Sequence, residues 1–372
     1  MSDLRFVGRS EVAECPVRAI ERFEVIAGTR LIVPAAERTK LWTGMLPPQL
    51  ANPAMLRIVP ATGKRLSSAL QLLFSAWPDD ARSERIAEIP QEIEDGEFDP
   101  RHLLLAEFDG QPVGVQLTIM RDADVGMVWP PVVDDVRIKR INGPKTEAIE
   151  DALLTEAARQ LDAVGAWIGQ SLLEPNQSRD QAALQRNGFS RLTELRFFER
   201  TLKDDSPWPK RSERTSLSYE PYRRSRNRLA FVNVLEETYR GTLDCPELNG
   251  ARDGQQSLKK HEAAGSFKPG MWRLYRRDGI NVGILLMVDR CDEDAWEVLY
   301  VGVIESARGR GVGRAMLVDA LGTARDAGVD RLLIVADVRN VPAVSLYESL
   351  GFQVVTSRVA CVRLRRPVTP SL

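Results

Sequence analysis

A short arginine- and glycine-rich segment near the C-terminus has the residue types and spacing of an anion-binding turn. Residues 308–314 read Arg-Gly-Arg-Gly-Val-Gly-Arg and lie between an apolar stretch at 297–303 and a periodic stretch at 314–327. The first stretch predicts a buried strand and the second an amphipathic helix. A glycine-rich turn that opens a helix presents unpaired backbone N–H groups, to which the helix dipole adds roughly half a positive charge. The segment predicts a site for a phosphorylated ligand; the alternative is a solvated turn.

Two further predicted elements follow this turn. Residues 331–336 form a second apolar run, and residues 340–352 predict a short capped helix that carries Tyr347 and ends in Leu-Gly-Phe. In order, the features are Arg-x-x-Gly-x-Gly after a strand, then a second strand, Asn340, and a helix that carries Tyr347 and ends in Leu-Gly-Phe. This order of features resembles the GNAT superfamily of acetyl-CoA-dependent N-acetyltransferases. The resemblance covers about residues 270–365.

The resemblance implies acetyl-CoA as co-substrate; the residue composition separately predicts no metal. It places the coenzyme A pyrophosphate on the turn, that is, on Arg308, Gly309, Arg310, Gly311, Val312, Gly313 and Arg314. It implies that backbone groups of Val301 and Val303, on a strand that splays from its neighbour, hold the pantetheine arm and the acetyl carbonyl. Asn340 would touch the cofactor arm, and Tyr347 would face the thioester sulfur.

The reaction of an amine with a thioester requires the amine to lose a proton and the departing thiolate to gain one. Tyr347 can donate the second proton, since a tyrosine with a pKa of about 10 is neutral at physiological pH; the alternative is a core aromatic residue. Glu297 lies at the start of the preceding strand, where some members of the superfamily carry a glutamate base. Many members have none, and a solvated glutamate is an equal alternative.

The N-terminal part of the chain contains a second copy of the same pattern. Asp109-Gly110 and Asp278-Gly279 each lie between two strand-like runs, and later landmarks also correspond, such as Phe189 and Phe352. This pattern predicts an α+β (α/β three-layer) fold with two tandem GNAT-like domains. Each would have a mixed, mostly antiparallel sheet with a splayed central strand pair, flanked by helices.

The first copy lacks the chemical positions of the second. Lys145, Ala148 and Glu150 stand where the turn has an arginine and two glycines, and Leu184 stands opposite Tyr347. Carboxylates at a helix start repel a diphosphate. We therefore expect a degenerate domain that serves structure or shapes the substrate cleft. The predicted boundaries are an extension at 1–54, the degenerate domain at 55–201, a linker at 202–214 and the catalytic domain at 215–372.

Composition narrows the function classes. The 372 residues have a formal net charge of −1, which offers no general attraction to nucleic acid or to an anionic membrane. The four cysteines, Cys15, Cys245, Cys291 and Cys361, are scattered, so a zinc site is not expected. No run approaches transmembrane length, and the expectation is a soluble cytoplasmic protein. The extension packs on a domain or mediates self-association, for example as a homodimer; the sequence leaves both open.

The favoured function is acetyl transfer from acetyl-CoA to a primary amine of a small molecule or peptide, by direct attack in a ternary complex. Two alternatives stay open, a non-catalytic acyl-CoA sensor and a protein or peptide N-acetyltransferase. Asp244, Glu247 and Asp253 fall in a segment that commonly borders the acceptor site in the superfamily. Their charges could attract a cationic amine, although exposed loop acids are usually solvated.

Overall fold

The computed structural model describes residues 56–365, apart from 121–124, 204–208, 210–216, 252–253, 264–267 and 291–293. The predicted extension at 1–54 and most of the predicted linker at 202–214 lie outside the described residues. So do Cys15, Cys291 and Asp253. We call residues 56–201 the N-terminal unit and residues 217–365 the C-terminal unit.

The N-terminal unit begins with a strand and two helices and continues with a hairpin. Its strands are β1 (Arg57–Pro60), β2 (Leu103–Phe108), β3 (Gln111–Met120), β4 (Val125–Val128), β5 (Val132–Val133), β6 (Ile168–Leu173) and β7 (Ser190–Thr201). Its helices are α1 (Arg65–Leu73), α2 (Asp79–Glu94), α3 (Asp135–Arg140), α4 (Thr146–Ala163) and α5 (Ser178–Arg186).

The C-terminal unit repeats this order with two helices before its hairpin. Its strands are β8 (Ser218–Pro221), β9 (Arg273–Arg277), β10 (Ile280–Arg290), β11 (Ala295–Val303), β12 (Arg331–Asp337) and β13 (Gln353–Leu364). Its helices are α6 (Arg228–Tyr239), α7 (Gly254–Ala263), α8 (Val312–Asp326) and α9 (Val341–Ser349).

The two predicted hairpins have the same turn. Asp109 and Gly110 have φ values of 53° and 72°, and Asp278 and Gly279 have 53° and 78°. Two successive residues with positive φ make the tight turn whose twist matches that of paired strands, and Asp-Gly is a favoured pair for it. The equivalent hairpins β2–β3 and β9–β10 confirm the tandem architecture.

The strands of the two units join in one mixed sheet. Its order is β1-β2-β3-β4-β6-β13-β7-β12-β11-β10-β9-β8, with β5 paired to β3. The parallel pairs are β4 with β6 and β11 with β12, and the other pairs are antiparallel. The last strands of the units are exchanged, because β13 pairs with β6 of the N-terminal unit and β7 pairs with β12 of the C-terminal unit. The sequence pattern did not reveal this exchange.

The exchange brings N-terminal side chains into the C-terminal core. Phe198 on β7 is 1% exposed and belongs to the same apolar cluster as Trp272, Leu286 and Tyr347. Burial of an aromatic side chain of this size contributes about 1.5–3 kcal/mol to stability. The C-terminal unit as described therefore depends on β7 for part of its core.

Candidate active site

The predicted anion-binding turn has the backbone geometry that the sequence implied. Gly309 and Gly311 have φ values of 70° and 77°, a region that favours glycine, and α8 begins at Val312. The first N–H that reaches a helical acceptor belongs to Ala315, which donates to the Gly311 carbonyl at 3.0 Å. The N–H groups of residues 309–314 make no hydrogen bond within the described part of the chain. They can therefore bind an anion at the positive end of the helix dipole.

The strand before the turn separates from its parallel neighbour. Pairing of β11 with β12 ends at Val298 and Ile334. On the other side of β11, the pairing with β10 shifts register next to Met287 and continues to Val303. The Ile304 N–H donates to the Val282 carbonyl at 3.1 Å, toward β10. Because successive residues of a strand point their N–H groups to opposite sides, those of Val301 and Val303 face the opening.

The turn and the opened strands border a single cavity of about 670 Å³. Val301 and Val303 line it, together with Gly309, Gly311, Gly313 and Arg314 of the turn and with Asn340 and Tyr347. The structure therefore brings most of the predicted site residues to one space. Asn340 caps α9, since its side-chain oxygen accepts from the Ala343 N–H at 3.3 Å.

Tyr347 is buried in this cavity with its hydroxyl unused. The residue is 5% exposed, and its ring makes an edge contact with Phe198, with the ring centroids 5.6 Å apart. Burial raises the pKa of Tyr347 well above its usual value of 10, and the charge of Asp244 and the neighbouring Tyr300 raise the pKa further. The hydroxyl makes no hydrogen bond with the residues that the structure describes. A phenol in this setting stays protonated at neutral pH and can donate a proton.

The guanidinium group of Arg308 is committed to the protein backbone. It lies at the end of α6 and donates to the carbonyls of Val303 (3.0 Å), Gly241, Thr238 and Arg240 (each 2.8 Å). Helix ends leave carbonyls without helical partners, so this side chain caps α6 and fixes the segment that follows it. The positive charges that remain beside the turn belong to Arg310, which is exposed, and to Arg314, which donates to the Ser349 hydroxyl at 2.9 Å.

Glu297 lies away from the cavity lining. Its side chain is 5% exposed and accepts two hydrogen bonds from the guanidinium of Arg290, one of them at 2.7 Å. It sits on β11 where that strand still pairs with β12, before the strands separate. The structure does not bring this carboxylate to Tyr347, and we assign it no catalytic role.

Three polar residues that the motif did not identify also line the cavity. His261 on α7 is 4% exposed and packs against Trp272 and Tyr300, with ring centroids 6.3 Å away in each case. The Tyr300 hydroxyl lies 2.7 Å from that of Thr238, which itself donates to the Leu235 carbonyl. The Thr238 hydroxyl has only one proton and donates it to the Leu235 carbonyl, so it accepts the hydrogen bond from the Tyr300 hydroxyl.

Asp244 is the third of these residues and lies after α6. The sequence pointed to it as a loop acid, but His261 and Tyr300 gave no signal beyond their residue type. Their approach to the cavity depends on α7 and on the opened end of β11, which only the fold reveals.

Comparison with known proteins agrees with this geometry. Residues 235–352 match the model of the acetyltransferase (GNAT) family, a range that contains the turn, both separated strands and Tyr347. The C-terminal unit belongs to the GNAT acetyltransferase family.

Curated proteins similar to this chain include two mycothiol acetyltransferases. The protein from Thermomonospora curvata is 33% identical over 165 residues, which cover 44% of this chain and 53% of that protein. The one from Thermobispora bispora is 32% identical over 171 residues, which cover 44% and 55%. The chain thus spans about half the length of the curated relatives it matches.

Solved GNAT structures share the fold over most of the chain. A GCN5-related N-acetyltransferase from Sphaerobacter thermophilus aligns with 86% of this chain and 98% of its own, with a TM-score of 0.50 and 19% identity. The glucosamine N-acetyltransferase region of a fungal β-N-acetylglucosaminidase aligns with 83% of this chain and 38% of its own, with a TM-score of 0.52 and 15% identity. At these identities the likeness concerns the fold alone.

In the N-terminal unit, ion pairs occupy the place equivalent to the GNAT turn. Glu150 on α4 is 3% exposed and accepts from Arg179 at 2.9 Å and from Arg186 at 3.0 Å. Arg186 also contacts Asp151 at 3.1 Å. The arginines near this helix start therefore pair with carboxylates of the protein. The negative charge of these carboxylates repels a diphosphate at this helix start.

The N-terminal unit nevertheless contributes to the GNAT cavity. Val125, Trp167 and Ile168 line it, and Trp167 is 40% exposed. Val125 and Ile168 pack in one apolar cluster with Cys245 and Leu248 of the segment after α6. The N-terminal unit thus forms part of the cavity wall.

Two classes of feature do not occur in the described part of the chain. It contains no group of three or more His, Cys, Asp or Glu side chains placed to hold a metal ion. None of its helices combines the length and hydropathy needed to span a bilayer.

Proposed function

We propose that this protein transfers the acetyl group of acetyl-CoA to a primary amine, with the chemistry in the C-terminal unit. The observation that carries the proposal is that one cavity brings together the free amides of the turn, the opened strand β11 and the Tyr347 phenol. A diphosphate bound at 309–314 and a pantetheine arm along Val301 and Val303 would bring a thioester to Tyr347. Asn340, at the cavity wall, would contact the same arm.

The proposed reaction is a direct attack within a ternary complex. The amine nitrogen forms a bond to the acetyl carbonyl carbon, the bond from that carbon to sulfur breaks, and the sulfur leaves with the electron pair. Tyr347 gives its proton to the thiolate. The amine loses one proton to His261, because its imidazole lines the cavity and is a side chain that can accept a proton. The phenolate of Tyr347 then regains a proton from solvent, and His261 releases its proton to solvent.

The curated relatives suggest where to look for the acceptor. Because they are named mycothiol acetyltransferases, we place the deacetylated form of mycothiol first among the amines to test. The matched region covers about half of each relative, so other small amines and N-terminal peptides belong in the same panel.

The test is a thiol-release assay with purified protein, acetyl-CoA and this panel of amines. The proposal expects release of free coenzyme A that depends on one of the amines, together with an acetylated product detected by mass spectrometry. Tight binding of acetyl-CoA without transfer to any amine would instead favour an acyl-CoA sensor. Transfer to peptides alone would favour a peptide N-acetyltransferase.

A further inference from the structure

The acidic residues near the acceptor side of the cavity have different environments. Glu247 is exposed and forms a two-bonded ion pair with Arg339, at 2.6 and 3.0 Å. Asp253 lies outside the described residues. Asp244 lines the cavity. Among the described acids of this loop, only Asp244 is in a position to meet a substrate.

Hydrogen bonds to the end of β12 hold Asp244 in place. Its Oδ1 atom accepts from the Asp337 N–H at 2.9 Å. In return, the N–H of Cys245 donates to Oδ2 of Asp337 at 3.0 Å. Cys245 has a φ of 45°, a left-handed conformation that is uncommon for this residue type. Asp337 is fully buried and also accepts from the Thr193 hydroxyl of the exchanged strand β7, at 2.6 Å. The position of the Asp244 carboxylate is therefore set by both units.

The charges around the cavity are distributed unevenly. The guanidinium of Arg308 is bound to four backbone carbonyls, and Arg314 lies at the turn beside Ser349. Asp244 is close enough to Tyr347 to affect the ionisation of its phenol. Of the groups that line the cavity, Arg314 thus lies where the diphosphate is expected, the charge of Arg308 is bound at the end of α6, and the carboxylate of Asp244 lies near Tyr347, where the thioester is expected to meet the acceptor. A positively charged acceptor is attracted to this end, and an anionic one is repelled.

We propose that Asp244 is the specificity-determining residue that binds the acceptor as a primary ammonium ion. This inference rests on the proposed function, since it concerns the acceptor side of the same site. The substrate class that follows is a cationic primary amine without a carboxylate next to its nitrogen. Asp244 orients the ammonium group beside Tyr347. The ammonium loses one proton to solvent before attack, and the second proton, released from nitrogen during the reaction, passes to His261.

A pair of coenzyme A thioethers tests this inference without knowledge of the natural acceptor. One carries an alkyl chain that ends in an ammonium group and the other an isosteric chain that ends in a methyl group, each made in several lengths. Isothermal titration calorimetry on the full-length protein gives the affinity of each. We expect the ammonium thioether of the best length to bind about tenfold more tightly or better, as charge-assisted hydrogen bonds do.

Two variants assign the effect to its residue. Asp244→Asn keeps an oxygen that can accept from the Asp337 N–H but removes the charge, so the preference for the ammonium thioether should disappear. Glu247→Gln removes a charge from the same loop outside the cavity and should leave the preference intact.

The outcomes separate this inference from the proposed function. Equal affinity of the wild type for both thioethers, or an undiminished preference in Asp244→Asn, overturns the role of Asp244 while coenzyme A binding stands. Failure of the wild type to bind either thioether overturns the proposed function and this inference with it.

Discussion

Replacement of Arg308 by lysine distinguishes a structural role for this arginine from direct contact with the cofactor. The guanidinium donates to four carbonyls at 2.8–3.0 Å. A lysine ammonium at the end of a flexible chain can reach about one of these acceptors, so about three hydrogen bonds are lost. At about 1 kcal/mol net for each bond, we expect Arg308→Lys to lower the free energy of unfolding by about 3 kcal/mol. Because the capped segment leads to Asp244, the KM for the acceptor should also rise.

The assay pairs urea unfolding with calorimetric titration of acetyl-CoA. Arg308→Lys should lose stability while its affinity for acetyl-CoA changes by less than about threefold. Arg310→Gln is the matched control, since Arg310 is exposed and donates no hydrogen bond within the described residues. It should bind acetyl-CoA several-fold more weakly at unchanged stability. A tenfold or greater loss of acetyl-CoA affinity in Arg308→Lys, at unchanged stability, would refute the capping role.

Four further predictions concern single side chains. Tyr347→Phe should lower kcat by about 10²-fold or more at unchanged acetyl-CoA affinity and stability, measured by steady-state kinetics, calorimetry and thermal unfolding; unchanged kcat would remove Tyr347 from the mechanism. His261→Gln should lower kcat by about 10²-fold in the same assays without loss of acetyl-CoA binding; a normal kcat would exclude His261 as proton acceptor. Glu297→Gln should lower the free energy of unfolding by about 3 kcal/mol, because it breaks the buried ion pair with Arg290. It should leave kcat per folded molecule unchanged, and a large fall in kcat would restore Glu297 as a base. Burial alone would raise the pKa of Asp337, but the hydrogen bonds it accepts hold that pKa below 3.8. The ionised carboxylate of Asp337 should therefore make its full contribution to stability above pH 3.8, and this contribution should decline as the pH falls through the lower pKa of the folded state. The free energies of urea unfolding of Asp337→Asn and wild type should differ most above pH 3.8. A difference that grows on acidification would contradict this account.

Local patterns were sufficient to predict the elements around the turn. Glycines that need positive φ, an apolar run before them and a periodic run after them predicted β11 and α8, and the structure starts α8 at Val312, two residues before the predicted start at Arg314. The Asp-Gly pairs predicted both hairpins, because few other residue pairs adopt this turn. Such features depend on residues close together in the chain.

Features that depend on distant contacts were not predictable. The exchange of β7 and β13 preserves the strand pattern of each unit, so no local signal distinguishes it from two closed sheets. The charge of Arg308 suggested a phosphate ligand, but three of the four carbonyls to which it donates lie 67–70 residues earlier in the chain. The resemblance to the GNAT superfamily implied a candidate base at Glu297, and here Arg290 on the neighbouring strand pairs with this carboxylate.

The central claim is that coenzyme A binds through its diphosphate to the turn at 309–314 of the C-terminal unit and not to the N-terminal unit. Isothermal titration of the full-length protein with acetyl-CoA tests it most directly. The account predicts one molecule bound per chain, with binding weakened by Arg310→Gln. Absence of binding, or two molecules bound per chain, would contradict it.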